Sequence, residues 1–498
     1  MCLAEGKKWM ATNKERLVRF LFVIWIPILC MLMVGLQGHR LLDIYLPAGW
    51  CSDEVSYYKQ IEAILEYGIP KGYWGYNEST AQFGTFGPWV VLSYIPYIIL
   101  GKIIGWNFAT PVICNLLLMV VASWIYVKIT DEEISQFLWL MALETVMLWV
   151  TRYTISGMLE PWVMALELIL LGLLRSERYG VGKRNVWIYI VVYLLGLVRP
   201  YFIVLFFLPC FVAEKNKKKY AAISTIMVVL SAAQYLIYRK LFCAAYITAS
   251  VLDAGFNIKE LIKGGINAVQ LVIDLLIHGG ATYGYGYALM FLTLVLGVIK
   301  IFIKFKKYKK AEAHLLIDAW AVFSVLATLG AVLLLYDPYA GSRHVWQVSL
   351  FAMFVLISDD KFFWAVKTAL IALSIIILCI YMGESTYLRQ VPYKQEALEK
   401  IATGTELSIL FEPVEDDRWA NTLAINASEV DYNYVYYLPS YMGVQIVWSD
   451  WLEGAMENMN SRYVFTGYNG AIAERLRENG WIILYEDAEN NLCILERP

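Results

Sequence analysis

The sequence predicts an all-α polytopic membrane protein with about eleven transmembrane helices and a small α/β domain at its C-terminal end. Three observations lead to this fold class. Of the 498 residues, 59% are hydrophobic and 17% are charged, and the mean hydropathy is +0.54. A water-soluble globule cannot bury so much apolar surface. Apolar runs long enough to cross a bilayer recur along the chain, and from about Glu384 the composition turns polar.

The first predicted span runs from Leu17 to Gly38 and follows several basic residues, namely Lys7, Lys8, Lys14, Arg16 and Arg19. A signal peptide has the same charge pattern, but its apolar region is shorter. A run of about 20 residues is long enough to span the bilayer. We therefore expect an uncleaved first helix with a cytoplasmic N-terminus.

Basic clusters then fix the topology. They recur at Arg175 to Arg184, Lys215 to Lys219 and Lys304 to Lys310, each beside an apolar run, and the positive-inside rule places all of them in the cytoplasm. The other predicted spans are Thr110 to Lys128, Ile134 to Val150, Pro161 to Leu174, two short helices within Val186 to Val212, Ala221 to Tyr238, Tyr287 to Ile303, Leu315 to Leu335, Val345 to Ile357 and Phe362 to Tyr381.

Two long outer loops result from this topology, near residues 39–107 and 239–286. The apolar stretch Pro88 to Gly105 inside the first loop is predicted to be interfacial or partly re-entrant, because a further crossing there would place Arg175 outside. Arg199 and Pro200 interrupt Val186 to Val212 at its middle, as the tip of a helical hairpin would.

The predicted domains are a membrane domain, 1–383, and an extracytoplasmic α/β domain, 384–498. Short β-rich runs alternate with helical segments in the second domain. The predicted strands are Leu407 to Phe411, Tyr434 to Tyr437, Tyr463 to Phe465, Trp481 to Tyr485 and Leu492 to Leu495, and the clearest helix is Ala471 to Asn479.

Several functional classes are not supported. The eight cysteines form no CxxC pair, so neither a disulfide framework nor a zinc site is indicated. The chain has no Walker A loop, no HExxH motif and no soluble Rossmann domain before the membrane region. The net charge of -2 indicates no partner class, and no nucleic-acid partner, cofactor or metal is expected.

The first outer loop begins with two adjacent acids, Asp53 and Glu54, followed by Tyr57 and Tyr58. A carboxylate close to the membrane surface is suited to general-base chemistry, because partial desolvation raises its pKa towards neutrality. We expect this for Asp53, and we expect Glu54 to point elsewhere because helical neighbours differ by about 100°. The alternative is an ordinary solvated acid or a helix N-cap.

A second acid, Glu160, precedes Pro161 at the predicted outer end of a span. It is a candidate second polar wall of an outward-facing site. The alternative is capping of the helix dipole, which an acid beside an N-terminal proline also provides.

Three basic residues are candidate phosphate ligands. Arg199 is an intramembrane cation, which is costly to bury without water or an anion, and snorkelling to the headgroups is the alternative. Arg343 and His344 stand at the outer start of a span, where a guanidinium beside an imidazole suits a phosphate. Pairing of Arg343 with Asp337 is the alternative there.

Aromatic residues of the second outer loop are candidate substrate contacts. His278 and Tyr283 are proposed to bind substrate together with Tyr57 and Tyr58, and Tyr285 and Tyr287 lie nearby. Aromatic rings stack on sugars, but an interfacial aromatic belt also explains them.

This order of motifs resembles the GT-C class of membrane glycosyltransferases, in particular the branch with the protein O-mannosyltransferases and lipid A aminoarabinose transferase. The matching motifs, spread over roughly Leu17 to Ile357, are Ser52-Asp53-Glu54 with Tyr57 and Tyr58, Gly84-Thr85-Phe86-Gly87-Pro88, Glu160, Val198-Arg199-Pro200 and Ser342-Arg343-His344. Two positions depart from the class pattern: Glu160 stands where relatives often have Asp, and Arg199 stands where Lys is common.

The resemblance implies an enzyme that transfers a sugar from a polyprenyl phosphate or diphosphate to a glycan, lipid or protein acceptor. It implies inversion at the anomeric carbon and no ATP. Asp53 would be the base, Glu54 and Glu160 secondary acids of the site, and Arg199, Arg343 and His344 donor phosphate contacts. The rival functions are a flippase or transporter of lipid-linked saccharide and a catalytically inactive assembly scaffold. A transporter favours charges near the membrane midplane, whereas the charges here are predicted at the outer rim.

Overall fold

The computed structural model describes residues 2–36, 40–41, 52–78, 81–83, 90–176, 178, 180–213, 215–242, 258–308, 313–335, 338–358, 364–382 and 403–498. Its membrane domain is helical. The helices are α1 (Cys2–Val23), α2 (Trp25–Gly35), α3 (Ser52–Tyr67), α4 (Ile95–Ile104), α5 (Thr110–Ile129), α6 (Ile134–Val146), α7 (Leu148–Thr154), α8 (Glu160–Arg175), α9 (Val181–Val198), α10 (Leu208–Val212), α11 (Lys217–Phe242), α12 (Ile258–His278), α13 (Gly280–Tyr308), α14 (Ala313–Leu335), α15 (Pro338–Ile357) and α16 (Trp364–Met382).

Within the described residues, every predicted span falls on helical structure, and the chain is a polytopic membrane protein. Within the described ranges, seven helices are long and apolar enough to cross a membrane, or nine if the bent pairs α1/α2 and α6/α7 each form one span. The two remaining predicted spans fall on α8, which has 16 residues, and on a 3-10 helix (Pro200–Phe207) with α10. Both are shorter than a typical crossing of about 20 residues, so length and composition alone identify up to nine of the about eleven predicted spans.

Helix α15 is the most enclosed of the seven long apolar helices, although its mean hydropathy is the lowest among them. Each residue from Val345 to Ile357 is buried, including the polar Gln347 and Ser349, because other helices surround this one. It packs on α8, α13 and α14. Gly286 of α13 permits this packing, since a Cβ there would lie 2.7 Å from the Ser342 carbonyl oxygen.

The helix ends sort into two groups, as the predicted topology requires. Arg175 at the end of α8, Lys304 near the end of α13 and Ser358 just after α15 line one cavity. Glu160 and Arg343, from the starts of α8 and α15, lie close together at the other end of the bundle. We call these the opposite end and the site end. Which compartment each end faces stays a prediction.

Part of the predicted second outer loop, 239–286, is helical in the described residues, and its side of the membrane stays a prediction. Helix α12 and the start of α13 occupy 258–278 and 280–286. The reason is an amphipathic pattern, in which apolar side chains recur every three or four residues along one exposed face. These side chains are Ile258, Ile262, Ile266, Val269, Ile273 and Ile277.

The C-terminal domain is built on a sheet of seven strands. They are β1 (Tyr73–Tyr76), β2 (Gln82–Phe83), β3 (Thr422–Asn426), β4 (Gly443–Val447), β5 (Tyr463–Thr466), β6 (Ile482–Asp487) and β7 (Leu492–Glu496), in the order β2-β1-β4-β3-β5-β7-β6. The pairs β1/β4, β4/β3 and β3/β5 are parallel, and the rest are antiparallel. Strands β3 and β4 are apolar and buried on both faces, as parallel strands usually are.

One face of this sheet packs on two short helices, α17 (Ser449–Ala455) and α18 (Ala471–Glu478), through Leu452, Ile472 and Leu476. The other face packs on Val55 and Tyr58 of α3. The soluble domain therefore sits directly on the first outer loop. This loop also supplies strands β1 and β2.

The last three predicted strands of the domain and its helix are confirmed, but the first two predicted strands are wrong. Residues 403–408 are helical, and Tyr432–Tyr437 is a 3-10 helix. The Asp431 side chain accepts a hydrogen bond from the Asn433 amide (2.9 Å) and so favours a helical start there. The predicted boundary between residues 383 and 384 lies outside the described residues.

Candidate active site

Helix α3 places the two adjacent acids of the first outer loop in its first turn, where the helix dipole stabilises a negative charge. Both residues are buried. The Arg343 Nη2 atom lies 2.7 Å from Asp53 Oδ2, and the Tyr76 hydroxyl donates to Asp53 Oδ1 over 2.9 Å. Asp53 is therefore held through both of its oxygens, by one charged and one neutral donor.

Glu160 is the second acid of the site. It is the first residue of α8, and Pro161 follows it in the first turn, where proline favours the start of a helix. Its Oε1 atom accepts from Arg199 Nη2 at 2.7 Å and lies 3.7 Å from Arg343 Nε. Arg199 reaches this position because α9 ends at Val198 and Arg199 is in extended conformation before Pro200. We call Asp53, Glu160, Arg199 and Arg343 the site cluster.

The two adjacent acids of α3 have opposite electrostatics. Burial raises the pKa of Asp53, but the ion pair with Arg343 and the hydrogen bonds from Arg343 and Tyr76 outweigh it and hold that pKa below its usual value. Burial raises the pKa of Glu54 to about 8, although the Arg152 guanidinium opposes the rise. The expected rise for Asp53 is therefore wrong, because a guanidinium compensates its burial. Asp53 is ionised at neutral pH, and Glu54 is mostly protonated.

A second layer of polar side chains extends the site cluster along α15. The Tyr201 hydroxyl donates to Gln347 Oε1 (2.6 Å) and lies 3.3 Å from His344 Nδ1. Tyr57 is buried, and the charges of Asp53, Arg199 and Arg343 all act on its hydroxyl. These contacts bring Tyr57 and His344 to the site, as the sequence predicts.

Several buried polar atoms of this region have no hydrogen-bond partner within the described protein. They are both carboxyl oxygens of Glu54, Glu160 Oε2, Arg199 Nε and Gln347 Nε2. The Ser156 hydroxyl, which faces Glu54, donates to the Tyr153 carbonyl oxygen instead (2.7 Å). Each buried polar atom without a partner costs about 1–3 kcal/mol, and such atoms usually mark a place where a polar ligand or water binds. The site therefore offers both donors and acceptors to a ligand.

Other predicted site residues lie elsewhere. Tyr58 points to the soluble domain and contacts Trp106, Phe108 and Tyr436. His278 is exposed and its Nδ1 atom lies 2.9 Å from Asp274, and Tyr283 packs edge-on against Tyr339. A role of Tyr58, His278 or Tyr283 in substrate binding stays a prediction. The motif 84–88 and Asp337 lie outside the described residues.

Four residues of the site are not among the predicted ones: Tyr76, Arg152, Tyr201 and Gln347. Gln347 is one helical turn from Arg343, and Tyr201 is two residues from Arg199. Their spacing from predicted site residues therefore indicates that both can reach the site. Arg152 is a buried cation in an apolar helix, which is itself a functional signal. Tyr76 carries no such signal, because a strand of another domain positions it.

The site contains no evident metal centre, since the described residues include no group of three or more His, Cys, Asp or Glu side chains that fits an ion. Its chemistry is that of paired carboxylates and guanidinium groups. Such an arrangement binds an anion through the guanidinium groups and accepts a proton at a carboxylate.

Comparison with known proteins gives no matching family model and no match among curated proteins. Solved structures do match. The Archaeoglobus fulgidus oligosaccharyltransferase in the apo form has a TM-score of 0.47 and 12% identity, over 92% of this chain and 70% of that chain. The same organism's oligosaccharyltransferase AglB, in complex with an inhibitory peptide and a dolichol-phosphate, has a TM-score of 0.48 and 13% identity over the same shares.

ArnT from Cupriavidus metallidurans, bound to undecaprenyl phosphate, matches with a TM-score of 0.47 and 10% identity, over 96% of this chain and 97% of that chain. All three TM-scores are below 0.5. The likeness supports no conclusion about the chemistry of this chain, which depends on the residues of the site cluster.

Proposed function

We propose that this protein is a membrane glycosyltransferase that transfers a sugar from a polyprenyl-phosphate donor to an acceptor at the outer face of the membrane. The observation that carries the proposal is the site cluster, in which the buried acids Asp53 and Glu160 pair with Arg199 and the partly exposed Arg343 at one end of the helix bundle, directly beneath a soluble domain. Four charged residues of the motifs that resemble the GT-C class form this cluster, namely Asp53, Glu160, Arg199 and Arg343.

The donor phosphate is assigned to Arg199 and Arg343, with His344 and Gln347 beside them. A guanidinium offers several donors in a fixed plane that matches a phosphate, and Arg199 Nε still has no partner within the described protein. The apolar lipid chain then lies along the helix bundle, where the membrane solvates it. An anion at Arg343 competes with Asp53 for the same guanidinium.

Asp53 is the proposed general base. The acceptor hydroxyl attacks the anomeric carbon, its proton moves to Asp53, and the bond from that carbon to the phosphate oxygen breaks with its electron pair on the lipid phosphate. A phosphate is a good leaving group, so one inverting displacement needs no strong acid. When donor phosphate draws Arg343 away, burial of Asp53 dominates and makes it a stronger base.

The direct test is incubation of the purified full-length protein with labelled polyprenyl-phosphate sugars and candidate glycan, lipid and protein acceptors, with products resolved by mass spectrometry. A labelled product that requires both donor and acceptor supports the proposal. Movement of intact lipid-linked sugar across reconstituted vesicles without any product would contradict it and favour a transporter.

A further inference from the structure

The strand β1 belongs to the first outer loop in sequence but to the C-terminal domain in structure. It pairs in parallel with β4, with Gly75 opposite Gln445 and Tyr76 opposite Ile446. The two chains approach very closely at Gly72 and Gly443. A Cβ atom at Gly72 would lie 2.1 Å from the Gly443 amide nitrogen, so only glycine permits this contact.

The residues after β1 are also fixed to the soluble domain. Glu78 is buried, and its two carboxylate oxygens accept four hydrogen bonds, from the Asn460 amide (2.8 Å) and side chain (3.0 Å) and from the Ser461 amide (2.7 Å) and hydroxyl (2.6 Å). Hydrogen bonds to a charged group are stronger than those between neutral groups. The position of β1 is therefore set by the C-terminal domain.

Tyr76, at the end of β1, connects this domain to the site cluster. Its hydroxyl donates to Asp53 Oδ1 (2.9 Å), and its ring stacks on Trp448, with ring centroids 6.0 Å apart and an angle of 17° between the planes. Trp448 directly follows β4. Tyr76 is thus held by its backbone pairing, by its ring and by its hydroxyl.

We propose that Tyr76 is a positioning residue through which the C-terminal domain orients Asp53 for proton transfer. This inference rests on the proposed function of Asp53 as the base. The Tyr76 hydroxyl donates to Oδ1 of Asp53, and Arg343 binds Oδ2. Once donor phosphate engages Arg343, Oδ2 becomes the oxygen that accepts the proton of the acceptor. The soluble domain has a direct effect on the rate of transfer, beyond covering the site.

The charged and titratable groups that face Asp53 come from five segments of the chain. They are Arg343 on α15, Arg199 after α9, Tyr76 on β1, Tyr94 before α4, and Glu54 and Tyr57 on α3 itself. Of these, Arg343 and Tyr76 make direct bonds to the carboxylate. Loss of the Tyr76 hydroxyl removes a donor that favours the ionised acid, so the pKa of Asp53 rises.

The test is Tyr76→Phe in the full-length protein, with Tyr73→Phe as the matched control. Tyr73 lies on the same strand and packs on Trp419, away from Asp53. We expect Tyr76→Phe to lower kcat roughly tenfold. The acidic limb of the pH profile of kcat should move up by about one pH unit, because loss of one hydrogen bond to a charged carboxylate changes its pKa by about that amount. Donor KM should stay within about twofold, because the phosphate contacts are unchanged.

Two variants of Trp448 provide a second route if Tyr76→Phe does not fold. Trp448→Phe keeps an aromatic ring under Tyr76 and should retain near-normal kcat, whereas Trp448→Leu should lower kcat and shift the acidic limb in the same direction as Tyr76→Phe. A normal pH profile and kcat in both Tyr76→Phe and Trp448→Leu would overturn the proposal, as would equal losses in Tyr73→Phe.

A failure of the proposed function is distinguishable from a failure of this inference. If the wild-type protein transfers no sugar, unfolding by heat still reports the Asp53 contact. A carboxyl whose pKa is lowered on folding stabilises the protein above its unfolded pKa, and this stability disappears as the pH falls through the folded pKa. In Tyr76→Phe the folded pKa is higher and closer to the unfolded one, so the loss of Tm on acidification must be smaller and must end at a higher pH than in the wild type and in Tyr73→Phe. Coincident curves would refute the contact.

Discussion

The two ends of the helix bundle both carry buried or half-buried ion pairs, but they differ in what surrounds these pairs. At the opposite end, Arg175 Nε donates to Glu132 (2.8 Å) and Lys304 Nζ donates to Asp318 (2.6 Å). Lys300 also binds Asp318 (3.2 Å) and donates to the Leu356 carbonyl oxygen (2.9 Å). These groups join loops and helix ends to each other.

At the site end, the acids and arginines also pair, but buried polar atoms without a partner lie directly beside the pairs. Glu160 Oε2 and Arg199 Nε are two of them, and both carboxyl oxygens of Glu54 are others. The charged atoms of Arg175, Lys300, Lys304 and Asp318 all have partners, although Asn185 Oδ1 near the same end is also buried without a hydrogen bond to the described protein. The site end is the stronger candidate because several such atoms lie directly beside its ion pairs.

The largest expected effect concerns the sidedness of the two ends, because labelling is nearly all or none. In a variant without the eight native cysteines, Glu489→Cys, on an exposed turn of the C-terminal domain, should react with a membrane-impermeant thiol reagent in intact cells. Lys218→Cys, exposed in the first turn of α11, should react only after permeabilisation. Labelling of both from the same side would place the site end and the opposite end in one compartment and contradict the topology.

The next effect is on the chemical step. Asp53→Asn keeps the shape of the side chain but removes the base, so transfer should fall by about 10² to 10⁴. Asp131→Asn is the matched control at the opposite end, where Asp131 pairs with Arg178 at the surface. Surface pairs contribute little, so this variant should transfer sugar within a few-fold of wild type. Near-normal turnover by well-folded Asp53→Asn that still binds donor would contradict the proposed base.

The sequence predicts the site cluster better than it predicts the surroundings of the cluster. The sequence identifies all four members of the cluster, because charged residues close to apolar spans are costly and therefore few. The predicted topology places these four, Asp53, Glu160, Arg199 and Arg343, at the same end of the spans. Glu54 is identified as an acid, but its raised pKa depends on burial, which a loop sequence does not reveal.

The parts that the sequence does not predict depend on contacts between distant segments. Strands β1 and β2 are short, and only pairing with β4 of the C-terminal domain makes them part of a sheet. Tyr76 has no local signal for the same reason. Helix α12 is not predicted because an amphipathic helix lacks the continuous apolar run that indicates a membrane span.

A smaller effect is expected for the phosphate contacts. Arg343→Lys keeps the charge but loses the planar arrangement of donors, so donor KM should rise roughly tenfold, equivalent to one charge-assisted hydrogen bond. Arg178→Lys at the opposite end is the control, because Arg178 contacts Asp131 and the Lys128 carbonyl oxygen in a similar way. Unchanged donor KM in both Arg343→Lys and Arg199→Ala would remove the phosphate assignment.

The smallest effect on transfer is expected for Glu54→Gln, in contrast to its neighbour Asp53. The pKa of Glu54 is raised to about 8, so at pH 7 the side chain is mostly a neutral acid, which Gln resembles in shape and charge. Transfer at pH 7 should therefore stay within a few-fold of wild type.

Glu54→Gln should make the folded protein more stable than the wild type at neutral pH. In the wild type, the unfolded protein loses the Glu54 proton near its ordinary pKa, whereas the folded protein keeps it up to about pH 8. The folded state therefore binds more protons in this window, and stability falls as the pH rises through it. Glu54→Gln has no such loss, so its Tm should exceed that of the wild type by an amount that grows from about pH 5 to pH 8. Parallel Tm curves for the two proteins would show that Glu54 is already ionised at neutral pH and that the two adjacent acids do not differ.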